Sequence, residues 1–437
     1  MSNHAIVDAG NGLVVYLTQP RKIFRVPTHL RDELETLCGD AAGGFATDSH
    51  ELAPIAAALR DCAGPRWVPA SRTTLRKVSL NVTNACNMAC RYCYANEGEY
   101  GSPQGMMTQE VARRSVERLF GHFEAIGAVQ FFGGEPLMNV AAIETVCAAL
   151  RERQASGELA ELPTLGLVTN GTIVNERVER VLAENGIHVT VSFDGPPAVN
   201  DEVRPLKGHR VVSDAILANA RRLAAASGRP VGVEATWSRA QQDAGLSLDD
   251  VVGYLRAAFD TRDVHVAPVC LPEGHPYRPH GLADFPRSVP AFTDQVLGGD
   301  HATFSKYRSS LGAYVRGLAS DIFCDAGLGV LSVSSTGRVY PCFMFIDDDE
   351  FDMGSVFDPD LFTGARYRAI YGRFAAASKR QSEQCGPCAF RTVCSGCLGA
   401  NRIETGDPFR VSDETCSMNH AFHEAMLLAA DRVGSRG

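Results

Sequence analysis

Three cysteines stand close together in Cys86-Asn-Met-Ala-Cys90-Arg-Tyr-Cys93, a C-x-x-x-C-x-x-C spacing. Soft thiolates select iron–sulfur centres or zinc. Three of them on one short loop can hold three irons of a cubane and leave the fourth iron open. An open iron is catalytic chemistry rather than a structural staple. The competing readings are a zinc knuckle completed by a distant fourth ligand, and a chance group of buried cysteines.

The chain has 14 cysteines, and a further seven crowd its last third: Cys324, Cys342, Cys385-x-x-Cys388-x5-Cys394-x-x-Cys397 and Cys416. Two zinc sites would take eight ligands, one more than is present. Two iron–sulfur clusters, one with four thiolates and one with three, would use all seven. Gly and Pro punctuate the loops, so backbone amides can approach the sulfurs. A cysteine-dense lobe with little core of its own needs metal to hold it. The four scattered cysteines, Cys38, Cys62, Cys147 and Cys270, read as small buried hydrophobes. Cys270 is the exception to watch, because it falls where a strand should end. His265, His275 and His280 could ligate metal, but solvated or packing roles are the commoner fate.

Other polar residues gather at predicted strand ends. Gly133-Gly134-Glu135-Pro136 permits close backbone approach and offers a carboxylate for an ammonium group. Asn170-Gly171, Ser192 and Asp194 add polar groups on neighbouring strand ends. Arg204 could pair with a carboxylate or be an ordinary surface arginine. An open iron needs a chelating partner, and an amino acid's amine and carboxylate would supply two donor atoms.

The elements that must position these residues follow a regular pattern. Strands are expected at 77–83, 128–132, 165–169, 188–193, 231–237 and 264–267, with helices between them at 108–122, 140–154, 175–185, 213–226 and 248–259. Six strand–helix repeats imply a parallel sheet with right-handed crossovers. An open three-quarter barrel and a doubly wound sheet both fit, and both gather ligands at the C-terminal strand ends. Residues 1–74 read as a separate winged-helix-like unit. It has a hairpin of Leu13–Leu17 and Lys22–Val26, a helix from Thr28 to about Cys38, and a second helix over 51–59. Gly64, Pro65 and Pro69 then mark a linker. The unit is either a structural extension or a dock, in which an extended peptide adds a strand to the hairpin edge. Residues 270–280 read as a Pro- and His-rich covering loop, and 302–318 as a bridging helix. From Phe323 onward short strands and cysteine-bearing loops are expected, with a hairpin turn at Ser335-Thr336-Gly337.

Composition excludes several classes. The chain of 437 residues carries a formal charge of −9 and no run of Lys and Arg, which argues against nucleic acid as a partner. No apolar run reaches the ~18 residues of a membrane span. The N-terminal MSNHAIVDAGNG lacks a secretory pattern, so a cytoplasmic location without a disulfide framework is expected.

The cysteine loop with Tyr92, the GGEP turn and the TNG turn resemble those of radical S-adenosylmethionine enzymes. Cys324-x12-Gly337-x4-Cys342 through Cys416 resembles the SPASM domain of their peptide-modifying members. The resemblance covers roughly residues 76–420. It implies an α/β fold: a partial (β/α)6 TIM-like barrel over 75–305 and a bridge with a SPASM domain over 306–437. It also implies S-adenosylmethionine, and a catalytic [4Fe–4S] cluster on Cys86, Cys90 and Cys93 whose electron releases a 5′-deoxyadenosyl radical. Two auxiliary [4Fe–4S] clusters would follow, one on Cys324, Cys342 and Cys397, the other on Cys385, Cys388, Cys394 and Cys416. Gly133, Gly134 and Glu135 would meet the methionine amino group and Arg204 its carboxylate. Ser192 and Asn170 would reach the ribose, and Tyr92 would lie near the adenine.

Within that family, CDAGLGVLSVSSTGRVYPCFMFIDDDEFDMGSV resembles maturases that form thioethers from cysteine. This implies a precursor-peptide substrate whose leader binds residues 1–74, and a flavodoxin- or ferredoxin-type electron donor. Carbon–carbon or aryl cross-linking is the alternative with the same parts. Anaerobic sulfatase maturation is disfavoured. Those relatives carry an acidic residue where Phe343 stands, and an extra cysteine before the equivalent of Cys324. Outside the enzymes, an iron–sulfur electron carrier or a zinc-held peptide scaffold would fit the cysteine count.

Overall fold

A computed structural model of the chain describes residues 4–39, 45–61, 73–208 and 210–435. Cys62 and the expected linker at Gly64, Pro65 and Pro69 lie outside the described residues. The chain forms two compact units, neither continuous in sequence. One comprises 1–68, 281–324 and 377–437, the other 69–280 and 325–376. Division at 74 and 305 assumes each unit to be one stretch, whereas here both ends of the chain share a unit.

In the first unit β1 (His4–Asp8), β2 (Leu13–Leu17) and β3 (Lys22–Val26) form an antiparallel sheet in that order. The hairpin has the expected bounds. The added β1 is short and mixed in polarity, which hid it, and it leaves β1 and β3 as the edges. Side chains alternate across a strand, so Leu13, Val15 and Leu17 pack on the helices Arg31–Gly39 and Ala53–Arg60. On the other face Tyr16 meets Tyr314 edge-on at 5.3 Å and stacks on Phe390 at 6.5 Å. Thr18 Oγ1 donates to the Ala389 carbonyl at 2.7 Å. The helix Asp413–Gly434 also packs on this sheet.

Loops were expected through the last hundred residues, but helices form at Ala365–Ala376, Leu398–Thr405 and Asp413–Gly434. Met418, Phe422, Met426 and Ala430 recur at helical spacing and are buried, a pattern the cysteines overshadowed. The helix Asp284–Leu297 was also missed, while the bridging helix is present at Ser305–Arg316.

In the second unit β4 (Thr74–Thr83), β5 (Ala125–Gly133), β6 (Thr164–Thr169), β7 (His188–Ser192), β8 (Gly232–Trp237) and β9 (Val264–Pro268) pair in parallel, strictly in chain order. A doubly wound sheet reverses its order at a switch point; this one does not, so that alternative falls. The far edge of β4 is taken by β10 (Val330–Val333), parallel to it with Val330 opposite Lys77 and Val333 opposite Leu80. Then comes β11 (Val339–Tyr340), antiparallel to β10. The eight strands make an open, partial TIM-like barrel, and the expected hairpin around Gly337 is its first two strands rather than a separate lobe.

The intervening helices, Gln109–His122, Val140–Ala155, Glu176–Asn185, Ser213–Ser227 and Leu248–Phe259, lie close to their expected bounds. Thr108, Asn139, Asn175 and Ser247 cap their N-termini through side-chain oxygens, satisfying amides the helix leaves unpaired. No described helix is long and apolar enough to cross a membrane.

Asn139 does more than cap. Its Nδ2 donates to the Val82 carbonyl at 2.7 Å and the Met107 carbonyl at 2.9 Å, tying the cysteine-bearing end of β4 to the next helix. Asn139→Ala removes the cap and the side-chain donor to the Met107 carbonyl, while the Val82 carbonyl keeps Met107 N–H, so it should cost about 2 kcal/mol in urea unfolding. Asn139→Asp should recover only the capping part.

Candidate active site

The cysteine loop leaves the end of β4 and is strapped to the segment after the Pro197–Val203 helix. Ala89 N–H donates to the Pro205 carbonyl and Arg91 N–H to the Val203 carbonyl, both at 2.9 Å, and Lys207 N–H donates to the Asn87 carbonyl at 3.0 Å. On its other side the loop lies directly on the glycine turn. A Cβ on Gly134 would stand 2.3 Å from the Ala85 oxygen, and one on Gly133, at φ +145°, would stand 2.4 Å from the Thr83 oxygen. Only glycine permits this contact, which confirms the reason for reading the turn as a close approach.

Cys86, Cys90 and Cys93 all line one cavity of about 480 Å³ at the strand ends. Gly133, Gly134, Asn170, Ser192, Arg204 and Tyr92 line it too. Burial pushes the Cys86 thiol up to about 11 and the Cys90 thiol to about 12, with the Arg204 guanidinium pulling both down. Among the described residues no three His, Cys, Asp or Glu side chains close around a single-ion point. One zinc draws thiolates to within ~2.3 Å of its centre. Thiols spread along a cavity wall suit a larger, multi-iron group.

Two of the expected residues stand behind the wall. Glu135 is fully buried, and its oxygens accept from Thr169 Oγ1 and Asn170 N–H at 2.7 Å and from Leu137 N–H at 3.0 Å. Burial raises its carboxyl above the usual range, and the three donors oppose this. Asp194 is also fully buried. It accepts from the Tyr92 hydroxyl and, at 2.9 Å, from Thr236 N–H. Arg204 is only 8 % exposed, so it is no surface arginine. Its Nη1 donates to the Tyr92 oxygen at 2.8 Å, and its buried Nε has no protein partner among the described residues. Asn170 donates to Asn87 Oδ1 at 2.8 Å, which holds it against the cysteine loop.

The cavity contains groups that sequence reading missed: Lys77, Gln130, Glu234, Thr236, Tyr94, Tyr100 and Phe343. Lys77 Nζ donates to Gln130 Oε1 at 2.8 Å. The available signal was the period-two polar stripe Lys77, Ser79, Asn81 within a strand otherwise apolar. Cys270 lines the same cavity, while Cys147 is buried and Cys38 packs against the core of the first unit, as expected. His265, His275 and His280 join no metal-binding group among the described residues, and His280 lies 3.4 Å from Asp243 at the surface.

The remaining cysteines divide between the units. Cys385, Cys388, Cys394 and Cys416 lie together in the first and act on one another electrostatically. There too, a hydrogen bond from Gly396 N–H to the Phe323 carbonyl at 3.2 Å sets Cys324 beside Cys397. Cys342 belongs to the second unit, next to cavity-lining Phe343.

The sequence matches the Radical SAM superfamily over residues 80–236 and the SPASM iron–sulfur cluster-binding domain over 324–389. The chain is a radical SAM enzyme with a SPASM domain. It is 24% identical to the AdoMet-dependent heme synthase of Oleidesulfovibrio alaskensis, covering 76% of this chain and 85% of that one. It is 26% identical to the mycofactocin maturase MftC of Mycobacterium ulcerans, covering 82% and 91%. Among solved structures, anSMEcpe with bound AdoMet and the Cp18Cys peptide superposes with TM-score 0.68 at 20% identity, covering 82% of this chain and 99% of that one. Streptococcus suis SuiB bound to precursor peptide SuiA gives 0.57 at 14% identity, covering 95% and 99%. These structural likenesses establish the fold. As a radical SAM enzyme with a SPASM domain, the chain binds S-adenosylmethionine and iron–sulfur clusters.

Two outcomes follow for the site. Gly134→Ala should displace the Ala85–Cys86 peptide and weaken S-adenosylmethionine binding at least tenfold in equilibrium dialysis, about 1.4 kcal/mol. The second concerns pH. In the metal-free fold Cys86 and Cys90 hold their protons more tightly than ordinary thiols. The stability this adds is complete below about pH 8.5 and is lost as pH rises through about 11 to about 12. Ligation requires thiolates, so cluster assembly should release protons in a pH-stat and become more favourable from pH 7 to 9.

Proposed function

We propose that this radical SAM enzyme is a peptide maturase that closes an intrapeptide cross-link, a cysteine sulfur-to-carbon thioether, in a ribosomally made precursor. The observation that carries this is the composite cavity, which brings three thiols, glycine backbone and Arg204 into one space with Lys77, Gln130, Glu234 and Phe343. When bound, the cluster and S-adenosylmethionine together supply a hydrogen-abstracting radical.

The chain's own residues have the remaining tasks. Cys86, Cys90 and Cys93 would hold the catalytic cluster. Gly133 and Gly134 would face the methionine amino group, with Glu135 stiffening them from behind. Arg204 would use nitrogens not taken by Tyr92 to hold a carboxylate, and Ser192 and Asn170 would bind the ribose. Tyr92, fixed between Arg204 and Asp194, would border the adenine. Closing an S–C bond from S–H and C–H removes one hydrogen atom, one proton and one electron from the peptide. An auxiliary cluster on Cys385, Cys388, Cys394 and Cys416 would provide a route for the electron. A flavodoxin- or ferredoxin-type protein would donate the starting electron.

Residues 1–74 would be the recognition module, with an extended leader adding to the free edge of β3. The SuiB–SuiA complex overlaps nearly the whole chain, which supports this use of the N-terminal sheet. Phe343 packs on Phe132 at 4.6 Å and Tyr94 at 6.4 Å, making an apolar wall where sulfatase-maturing enzymes would place an acid. That supports cross-linking over formylglycine formation. The heme synthase relative favours one second reading, the same radical acting on a small molecule.

Co-expression with a short cysteine-containing peptide encoded beside the gene should lower the peptide's mass by two hydrogens. An unchanged mass, together with tight binding of a tetrapyrrole, would support the second reading. Replacing Cys86, Cys90 and Cys93 with Ala should abolish 5′-deoxyadenosine formation while leaving iron in the C-terminal region.

A further inference from the structure

A buried lysine and a half-buried one act on one cysteine in the first unit. Lys379 is 2 % exposed, and its Nζ donates to the Cys394 carbonyl at 2.6 Å. Lys306 donates to Asn419 Oδ1 at 2.9 Å and lies 5.0 Å over the Phe422 ring. Among the described residues neither has a carboxylate within 4.0 Å. Asp321, the acid that acts on Lys379 from a distance, is paired with Arg380 at 3.2 Å. Arg391, also 2 % exposed, donates to the Cys388 carbonyl at 3.3 Å. The nearby imidazole of His423 is kept neutral by burial and then by these lysines, so it adds no further positive charge.

Burying an ammonium without a counter-charge, as at Lys379, is strongly unfavourable. Both lysines act electrostatically on Cys394, and Lys379 also on Cys385 and Cys388. Four thiolates around a cubane carry net negative charge, which is the missing partner. The potential of such a cluster depends on net charge, hydrogen bonding and exposure. Reduction adds a negative charge, so fixed cations beside the sulfurs favour the reduced form.

We infer that Lys379 and Lys306 are positioning charges for a [4Fe–4S] cluster on Cys385, Cys388, Cys394 and Cys416, raising its reduction potential so that it readily accepts an electron. The inference rests on the proposal above that these four cysteines share one cluster. It assigns the lysines to setting a potential, not to touching substrate.

The test uses the full chain with Cys86, Cys90 and Cys93 replaced by Ala, purified anaerobically with iron, and potentiometric titration read by electron paramagnetic resonance. The signal lost on Cys385→Ser identifies the cluster. Lys379→Met and Lys306→Met should each lower the reduced-to-oxidised ratio at fixed potential about tenfold, which is about 59 mV for a one-electron couple. Lys379→Arg, which keeps the charge, should restore most of it. Variants that keep their iron and titrate with the parent would overturn the inference.

A second readout separates charge from bracing. In the iron-free chain Lys379→Met should raise the melting temperature, because an uncompensated charge is removed. A lysine that merely braces the Cys394 loop would give a lower one, and that result would count against the inference. If Lys379→Met fails to hold iron, Lys306→Met decides, since its ammonium touches no cysteine backbone. A parent in which Cys385→Ser removes neither iron nor signal would sink the shared-cluster reading itself, and the inference with it.

Discussion

One buried carboxylate holds the active end of the barrel together. Glu135 ends the glycine turn after β5 and accepts from the backbone of Asn170 and the hydroxyl of Thr169 at the end of β6. Its own backbone N–H donates to the Ala85 carbonyl at 2.9 Å. Three consecutive strand ends are thereby fixed relative to one another. Everything that lines the upper cavity hangs from that junction: the cysteine loop above Ala85, the glycines beneath it, and Asn170 braced on Asn87. A carboxylate with every oxygen engaged, in a place without water, resists displacement more than an exposed one would.

The same economy of charge recurs with the opposite sign. In the second unit, Arg204, Tyr92 and Asp194 form a hydrogen-bonded chain, and the guanidinium acts electrostatically on the thiols. In the first unit Lys379 acts on Cys385 and Cys394, and Lys306 also on Cys394, while Glu404 and Asp413 act on Cys397 and Cys416. The positive charge is concentrated at Cys394, which suits an anionic cluster there. The buried Cys147 thiol lies on the Val140–Ala155 helix and reads as packing.

Which parts were legible in the chain depends on the range of the interactions involved. Cysteine spacing, the GGEP turn and the alternation of strand with helix are local, and they survived almost unchanged: five helices between the barrel strands lie near their expected bounds, and the ten residues expected at the cluster and cofactor gather at one cavity or directly behind its wall. The misreadings are long-range. The pairing of β10 with β4 joins residues about 250 apart, and nothing in either stretch announces it. Lys77, Gln130 and Glu234 became cavity residues only because sheet pleat and barrel curvature turned their faces inward.

The amino-acid sequence by itself determined the ligand chemistry, because thiolates bind soft metals wherever the chain carries them, and a close backbone approach admits only glycine. The tertiary structure alone decided which groups share a space. It tied the Glu135 carboxylate to the neighbouring strand end, buried Arg204 beside Tyr92, and brought Phe343 into the cavity wall. It also set two lysines from separate segments to act on Cys394. Such choices depend on desolvation and on contacts between residues far apart in the chain. Those energies do not exist until the layers have packed.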